Sequence, residues 1–282
     1  MIDLHPPPPA EGFVGGDGRR LHYLEWGAAD APPVVLLHGG SAHAHWWDFV
    51  APPLADTYRC IAPDLRGHGE SDWPADREYR LVAHAADVAR LTDALALPAV
   101  AVIGHSFGGF VAMEYARTAG ARLAALAIVD SRVRIGERSA RYMDALRKLP
   151  HPVYASPAEA LARFRLLPSG TTAPAAVLAH VLHHGIVERD DGTWTFRFDR
   201  RAMASTPMQD FSPILAALTC PILAVRAGLS PIVSASALAE YAGANPRTEL
   251  AEIADAHHHV MLDQPAALAA LLRRFLATAL GR

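Results

Sequence analysis

Ser106 and a late histidine triplet are the residues of this chain whose types and order could support a reaction. Ser106 stands at the centre of the pattern Gly-x-Ser-x-Gly, residues 104–108, and the triplet occupies residues 257–259. A serine hydroxyl becomes an effective nucleophile only when a neighbouring imidazole takes its proton. The pair therefore predicts nucleophilic attack on an acyl carbon, with a histidine as general base.

The residues around Ser106 predict a sharp turn between a strand and a helix. An apolar run at residues 100–103 is typical of a buried strand, and a helical pattern begins at Phe107. Glycine at positions 104 and 108 suits a turn that neighbouring chain approaches closely. Such a turn exposes the hydroxyl and leaves the Phe107 N–H at a helix N-terminus, where an oxyanion would form. In the alternative interpretation, the serine only caps the helix.

A second glycine-rich turn could supply the other half of an oxyanion hole. The apolar run at residues 33–37 ends in His38-Gly39-Gly40. Stabilising an oxyanion takes two N–H donors that converge on one oxygen, and the Gly40 N–H is our candidate for the second. We expect His38 to be a structural residue bonded to main chain. The alternative is a plain turn.

These motifs, with the run Asp-Leu-Arg-Gly-His-Gly-Glu-Ser at residues 64–71, resemble those of α/β-hydrolases, in the branch of esterases, epoxide hydrolases and haloperoxidases. The resemblance covers the chain from about Phe13 to its end. It implies an α/β fold with a mainly parallel eight-stranded sheet flanked by helices and a helical cap inserted after strand six. The run ending at Pro265 is similar to the family's Gly-His-x-x-x-x-Glu-x-Pro, which implies His258 as the catalytic base.

The acid that should orient His258 is missing from its usual place. In the family it follows the seventh strand, where this chain has Ser230 and no carboxylate nearby. Asp130 ends the sixth strand, beside the nucleophile strand, and some relatives, including haloalkane dehalogenases, take their acid from there. We predict Asp130 as the triad acid. The alternatives are that Asp130 only bonds loop amides, that Asp255 or Asp263 contributes, or that a Ser-His dyad works through water.

The spacing of the apolar patterns predicts the order of the elements. A hairpin is expected from Phe13 to Trp26, with its turn at residues 15–18. The other predicted elements are strands near residues 33–38, 58–62, 99–104, 123–129, 221–226 and 248–253, and helices near residues 45–55, 81–96, 107–120, 234–244 and 265–279.

The interval between strands six and seven predicts an inserted unit. Residues 132–212 contain helical patterns near 136–148, 157–166 and 174–186, and an extended pattern at 193–199. A structureless loop of that length is unusual in a compact domain. We predict a hydrolase core of residues 1–131 and 213–282, with a mainly helical cap of residues 132–212 over the active site.

The predicted function is that of a serine hydrolase acting on a small or medium carboxylic ester or lactone through an acyl-enzyme. A serine nucleophile speaks against a dehalogenase or epoxide hydrolase, whose nucleophile is a carboxylate. Candidate residues for an apolar substrate pocket are Trp46, Trp47, Tyr142 and Met143.

Two other functions stay open. Arg132 and Arg134 could bind a carboxylate, which would suit a carbon–carbon bond hydrolase of a diketone acid with the same triad. The absent acid after strand seven would suit a non-hydrolytic binding or signalling protein of the same fold.

Composition excludes several classes of partner. The net charge of −3 and pI near 6.6 offer no nucleic-acid-binding face. Two cysteines do not form a disulfide framework, the N-terminus lacks the features of a signal peptide, and no apolar run is long enough for a membrane helix. We therefore expect a cytoplasmic protein with a small-molecule substrate and no cofactor. We also expect no metal, because consecutive histidine side chains diverge and no second ligand cluster is evident.

Overall fold

An eight-stranded sheet forms the centre of the protein in the computed structural model, which describes residues 6–16, 18–203 and 208–281. The strands are β1 (Ala10–Gly16), β2 (Arg19–Trp26), β3 (Pro33–Leu37), β4 (Arg59–Pro63), β5 (Val100–His105), β6 (Leu123–Val129), β7 (Ile222–Ala227) and β8 (Thr248–Ile253). They run in the order β1-β2-β4-β3-β5-β6-β7-β8, and only the pairings of β2 with β1 and β4 are antiparallel. The predicted α/β fold with a mainly parallel eight-stranded sheet is thus confirmed.

Helices cover both faces of this sheet because successive strand residues point to opposite sides. In β3, Val34 packs in the hydrophobic layer that includes the helix Pro265–Leu280, whereas Val35 packs in the layer that includes the helices Leu81–Ala94, Phe107–Ala119 and Ala235–Ala244. The helices are α1 (Leu81–Ala94), α2 (Phe107–Ala119), α3 (Glu137–Lys148), α4 (Pro157–Arg163), α5 (Ala175–Gly185), α6 (Ser212–Ala217), α7 (Ala235–Ala244), α8 (Val260–Asp263) and α9 (Pro265–Leu280).

Two local predictions need correction. The helix expected at 45–55 consists instead of two short 3₁₀ turns, Ala44–Trp47 and Pro52–Leu54. Two consecutive prolines, Pro52 and Pro53, lack the N–H groups that an α-helix would need there. The opening hairpin begins at Ala10, earlier than expected, and the Asp17 of its turn lies outside the described residues.

The predicted insertion, residues 132–212, has a short antiparallel pair near its two ends, Arg134–Ile135 with Gln209–Asp210. It contains α3, α4 and α5 and a second small pair, Ile186–Glu188 with Trp194–Phe196. Val181 of α5 packs in the same hydrophobic cluster as core residues, and Phe198 bridges to His68. The insertion is therefore packed onto the core.

Cys60 lies in β4 and Cys220 just precedes β7, and both are free thiols. Three strands separate β4 from β7, so a disulfide between the two residues is out of reach. Among the described residues, no helix is long and apolar enough to cross a membrane.

Candidate active site

Ser106 occupies the sharp turn between β5 and α2. Its φ of 52° and ψ of −116° are strained for a residue with a side chain, at a cost of about 1–3 kcal/mol. A Cβ on Gly104 would lie 2.3 Å from the Gly108 carbonyl oxygen, and one on Gly108 would lie 2.4 Å from that of Leu37. The two glycines are therefore required by close main-chain approach, as the sequence pattern predicted.

Three predicted residues from distant parts of the chain meet at this turn. His258 Nε2 lies 2.9 Å from Ser106 Oγ, and His258 Nδ1 lies 2.7 Å from Asp130 Oδ2. Because the carboxylate can only accept, Nδ1 carries the proton and Nε2 is left to accept from the serine hydroxyl. Asp130 and His258 are buried, whereas Ser106 is partly exposed. The arrangement can pass a proton from the serine to the imidazole.

Asp130 is held by β7 and the loop that follows it. Its Oδ1 accepts from the Ala227 N–H at 3.0 Å, and its Oδ2 accepts from the Ser230 hydroxyl at 2.5 Å. Ser230 in turn accepts from the Ile232 N–H at 3.0 Å. The position where the sequence lacks the usual acid thus supplies a hydrogen-bond donor to the acid on the neighbouring strand. Sequence analysis did not anticipate this role for Ser230.

Burial sets the charge states of this group. It lowers the pKa of His258 well below the ordinary histidine value, so the ring is neutral at neutral pH. Burial raises the pKa of Asp130 to about 6, with the hydrogen bonds from Ser230 and Ala227 opposing the increase. Above that pH the pair consists of a neutral imidazole and a carboxylate, which is the form a general base needs.

The three histidines of the triplet have different surroundings. The His257 N–H donates to Asp263, and its ring lies beside Gly170. The ring of His259 is buried against that of His258, at 5.0 Å between centroids. Within the triplet, the hydrogen bond to Ser106 belongs to His258, as the family pattern implied.

His105 makes a contact at this site that sequence analysis missed. Its Nε2–H donates to the main-chain carbonyl of His258 at 2.8 Å, so the residue before Ser106 holds the segment that carries His258. The signal was present in the motif, where a histidine stands immediately before Ser106.

The loop after β3 is fixed by two buried histidines. His38 Nε2 accepts from the Leu65 N–H at 2.9 Å, so its Nδ1–H donates to the Gly39 carbonyl at 2.8 Å. His68 Nε2 accepts from the Ser41 N–H at 3.2 Å. Burial lowers the pKa of His38 to about 4 and that of His68 to about 3, which keeps both rings neutral. His38 is bonded to main chain, as expected.

The loop after β3 contacts the turn that carries Ser106. A Cβ on Gly39 would lie 3.4 Å from the Cβ of Ser106 and 2.8 Å from the His105 ring. Gly40 follows directly, and Phe107 opens α2, where the first N–H groups have no partner within the helix. The two main-chain segments predicted to donate to an oxyanion therefore flank Ser106.

The predicted pocket residues differ in their burial. Trp46 is 6% exposed, and its ring packs edge-on to His259 at 5.3 Å between centroids. Trp47 has no exposed surface and belongs to the hydrophobic core, so its assignment as a pocket wall was wrong. Tyr142 and Met143 lie on α3, where Tyr142 is 48% exposed.

The expectation that potential metal ligands are not clustered was also wrong. His105, His258 and His259 bring ligand atoms within 4.8 Å of one another at the candidate active site. A second group of three histidines and one aspartate, outside that site, does the same. Sequence analysis considered only the consecutive triplet and overlooked histidines that come together from different elements.

Comparison with known proteins shows the family. The model of the α/β-hydrolase fold family matches residues 32–265, most of the chain. The chain belongs to the α/β-hydrolase family. It is 30% identical to esterase Rv0045c of Mycobacterium tuberculosis over 262 residues, which cover 90% of this chain and 86% of that protein. A non-heme chloroperoxidase of Streptomyces lividans is 42% identical over 120 residues, 41% of this chain and 42% of the relative.

Solved structures of α/β-hydrolases agree with this assignment. The crystal structure of the same Mycobacterium tuberculosis esterase superposes with a TM-score of 0.76 at 28% identity, covering 96% of this chain and 92% of that one. E-2-(acetamidomethylene)succinate hydrolase shares the fold, with a TM-score of 0.82 at 24% identity over 95% of this chain and 99% of that one. This α/β-hydrolase is an enzyme of the hydrolase type, which excludes the non-hydrolytic alternative.

Proposed function

We propose that this α/β-hydrolase cleaves a small or medium carboxylic ester or lactone with the triad Ser106, His258 and Asp130. The observation that carries the proposal is the unbroken hydrogen-bond chain from the Ser106 hydroxyl through His258 to the buried Asp130 carboxylate. The similarity to esterase Rv0045c, which extends over 90% of this chain, supports ester substrates.

Each step moves one proton through His258. Ser106 Oγ attacks the ester carbonyl carbon while Nε2 takes the hydroxyl proton, and Asp130 stabilises the resulting imidazolium. The tetrahedral intermediate collapses, its alkoxy group leaves with the proton from Nε2, and an acyl-enzyme remains on Ser106. Water then attacks the acyl carbon, His258 takes its proton, and the acid is released as the serine oxygen regains a proton.

The Phe107 and Gly40 N–H groups stabilise the oxyanion in this proposal. Both segments flank Ser106, and the histidine contacts of the loop after β3 fix its main chain before substrate arrives. Preorganised donors of this kind contribute about 3–4 kcal/mol each in transition-state stabilisation.

The insertion acts as a helical cap in the same proposal. Its residues Val177 and Val181 pack with core residues, while Trp46 on the core side lies next to His259. We assign Trp46, Tyr142 and Met143 to the apolar surface that receives the acyl or alkoxy group.

The contacts of Arg132 and Arg134 remove the argument for a carbon–carbon bond hydrolase. Arg134 is paired with Asp210 and Glu240 on the surface, and Arg132 donates to the Ile232 carbonyl. These contacts occupy the two cations that were expected to receive a substrate carboxylate.

The direct test is hydrolysis of p-nitrophenyl esters from acetyl to octanoyl, together with labelling by a fluorophosphonate. We expect saturable turnover and covalent modification at Ser106, located by peptide mass spectrometry. Labelling of a different serine, or no turnover of any ester in the series, would contradict the proposal.

Replacing His258 by alanine should lower kcat by about 10⁴-fold or more, because no other group takes the serine proton. His257→Ala is the matched control, since that ring lies beside Gly170 and its main-chain N–H to Asp263 is retained. We expect the control to stay within about tenfold of the parent. Steady-state kinetics of His257→Ala and His259→Ala test the assignment, which fails if either loses activity while His258→Ala keeps it.

The pH dependence of kcat/KM should reflect the ionisation of Asp130. Activity requires neutral His258 and ionised Asp130, and burial raises the pKa of the carboxyl to about 6. We therefore expect kcat/KM to fall as pH decreases below about 6, with an apparent pKa that belongs to the coupled pair. Ser230→Ala removes a hydrogen bond that lowers the pKa of Asp130, so the acid limb should move to higher pH. An unmoved limb in that variant would argue against the assignment.

A further inference from the structure

A cluster of three histidines and one aspartate lies outside the proposed triad. His45 and Asp48 belong to the turn that follows the loop after β3, and His180 and His184 belong to helix α5 of the insertion. One ligand atom from each of the four lies within 4.8 Å of the others. Core and insertion therefore each contribute two potential metal ligands.

Both pairs have a spacing that brings ligands together. His180 and His184 are four residues apart in a helix, which places them on one face, one turn apart. His45 and Asp48 are three residues apart on the turn of residues 44–48, and Nδ1 of His45 lies 2.9 Å from Asp48 Oδ2. His180 Nε2 reaches the same oxygen at 2.7 Å.

Asp48 is buried at this cluster and has one carboxylate oxygen without a partner among the described residues. Its side chain is 4% exposed, both histidine contacts fall on Oδ2, and Oδ1 has no hydrogen-bond partner in the described part of the chain. A buried carboxylate oxygen without a partner is costly. A cation bound to this carboxylate would compensate part of the cost of burying its charge.

We propose that His45, Asp48, His180 and His184 bind a Zn²⁺ ion that fastens helix α5 of the insertion to the core. Nitrogen and oxygen donors in this number match a closed tetrahedral zinc site, which leaves no position for a catalytic water. Binding would draw the rings of His45 and His184, now stacked at 3.6 Å between centroids, apart so that each directs a nitrogen at the ion.

The position of the site gives it a defined role. The turn that carries His45 and Asp48 also carries Trp46 and follows the loop of Gly40. On the opposite side, α5 belongs to the insertion that we propose as the cap. Zinc bound here would restrain that helix against the core without touching the triad.

The experiment is zinc titration of the full-length metal-free protein by isothermal calorimetry, with thermal unfolding measured in parallel. We expect one Zn²⁺ per chain and a higher thermal midpoint with zinc. His180→Gln and His184→Gln should each raise the dissociation constant by about 100-fold or more, since even outer-shell partners are worth about 10- to 100-fold. His183→Gln is the matched control, an exposed histidine on the same helix, and should bind zinc like the parent.

Three results would overturn the proposal. The first is that the parent protein does not bind zinc. The second is that the parent, His180→Gln and His184→Gln all bind zinc equally well. The third is that His259→Gln loses zinc binding whereas His184→Gln keeps it. The last result would place the ion at the cluster of His105, His258 and His259. Circular dichroism of each metal-free variant shows whether a loss of zinc binding comes from the missing ligand or from misfolding. If one variant does not fold, the zinc-dependent rise in the thermal midpoint of the parent still tests the site.

Discussion

Ser106→Ala should lower ester turnover by about 10⁶-fold and abolish labelling by a fluorophosphonate. In the proposed mechanism the hydroxyl oxygen attacks the ester, so its loss removes the covalent route while leaving the rest of the site in place. The fold should survive, because Ser106 is partly exposed and its hydroxyl contacts His258 rather than the packed core. Progress curves with p-nitrophenyl butyrate and the thermal midpoint of the variant measure the two effects.

Ser131→Ala is the matched control for this experiment. It removes the same atom type from a buried serine that lies near the site and whose hydroxyl has no hydrogen-bond partner among the described residues. We expect activity and labelling within about tenfold of the parent. Equal losses in both variants, or retained labelling of Ser106→Ala, would mean that another residue is the nucleophile.

Asp130→Asn should lower kcat by about 10⁴-fold with little change in the fold. The amide retains the shape of the carboxylate but no longer stabilises an imidazolium, and it can favour the wrong tautomer of His258. The measurement is kcat across the pH range, with circular dichroism to confirm folding. Near-parent turnover in this variant would show that the contact between Asp130 and His258 is only structural.

Ser230→Asp in the Asp130→Asn background should restore part of that loss. Ser230 lies 2.5 Å from the oxygen that His258 contacts, so a longer acidic side chain from the same position can approach Nδ1. Ser230→Asn in the same background is the uncharged control and should restore nothing. Equal rates in the two double variants would argue against a charge requirement at this nitrogen.

The sequence predicted what depends on local spacing or on the order of strands. The Gly-x-Ser-x-Gly pattern required Gly104 and Gly108 at a close approach, and the structure has both contacts. Asp130 could be predicted to lie near His258 because β6 runs between β5 and β7, with their carboxyl ends at one edge. Neither prediction needed knowledge of side-chain packing.

Contacts between distant segments could not be predicted in this way. Nothing local indicates that a histidine pair on α5 faces His45, or that Ser230 donates to Asp130. Trp47 was misassigned because a large aromatic residue near an active-site loop has the same sequence appearance whether it lines a pocket or fills the core. In this structure it fills the core.

The sheet itself sets the distance between Ser106 and Asp130, the proposed nucleophile and acid. The Ser106 N–H donates to the Val129 carbonyl at 3.0 Å, and the Asp130 N–H donates to the Val225 carbonyl at 2.7 Å. Both residues continue the ladder of the central strands, whereas His258 arrives on the segment after β8. Local opening of that segment would separate His258 from Ser106 while the sheet stays intact. Loss of activity on heating would therefore precede unfolding of the sheet, and it would be reversed on cooling.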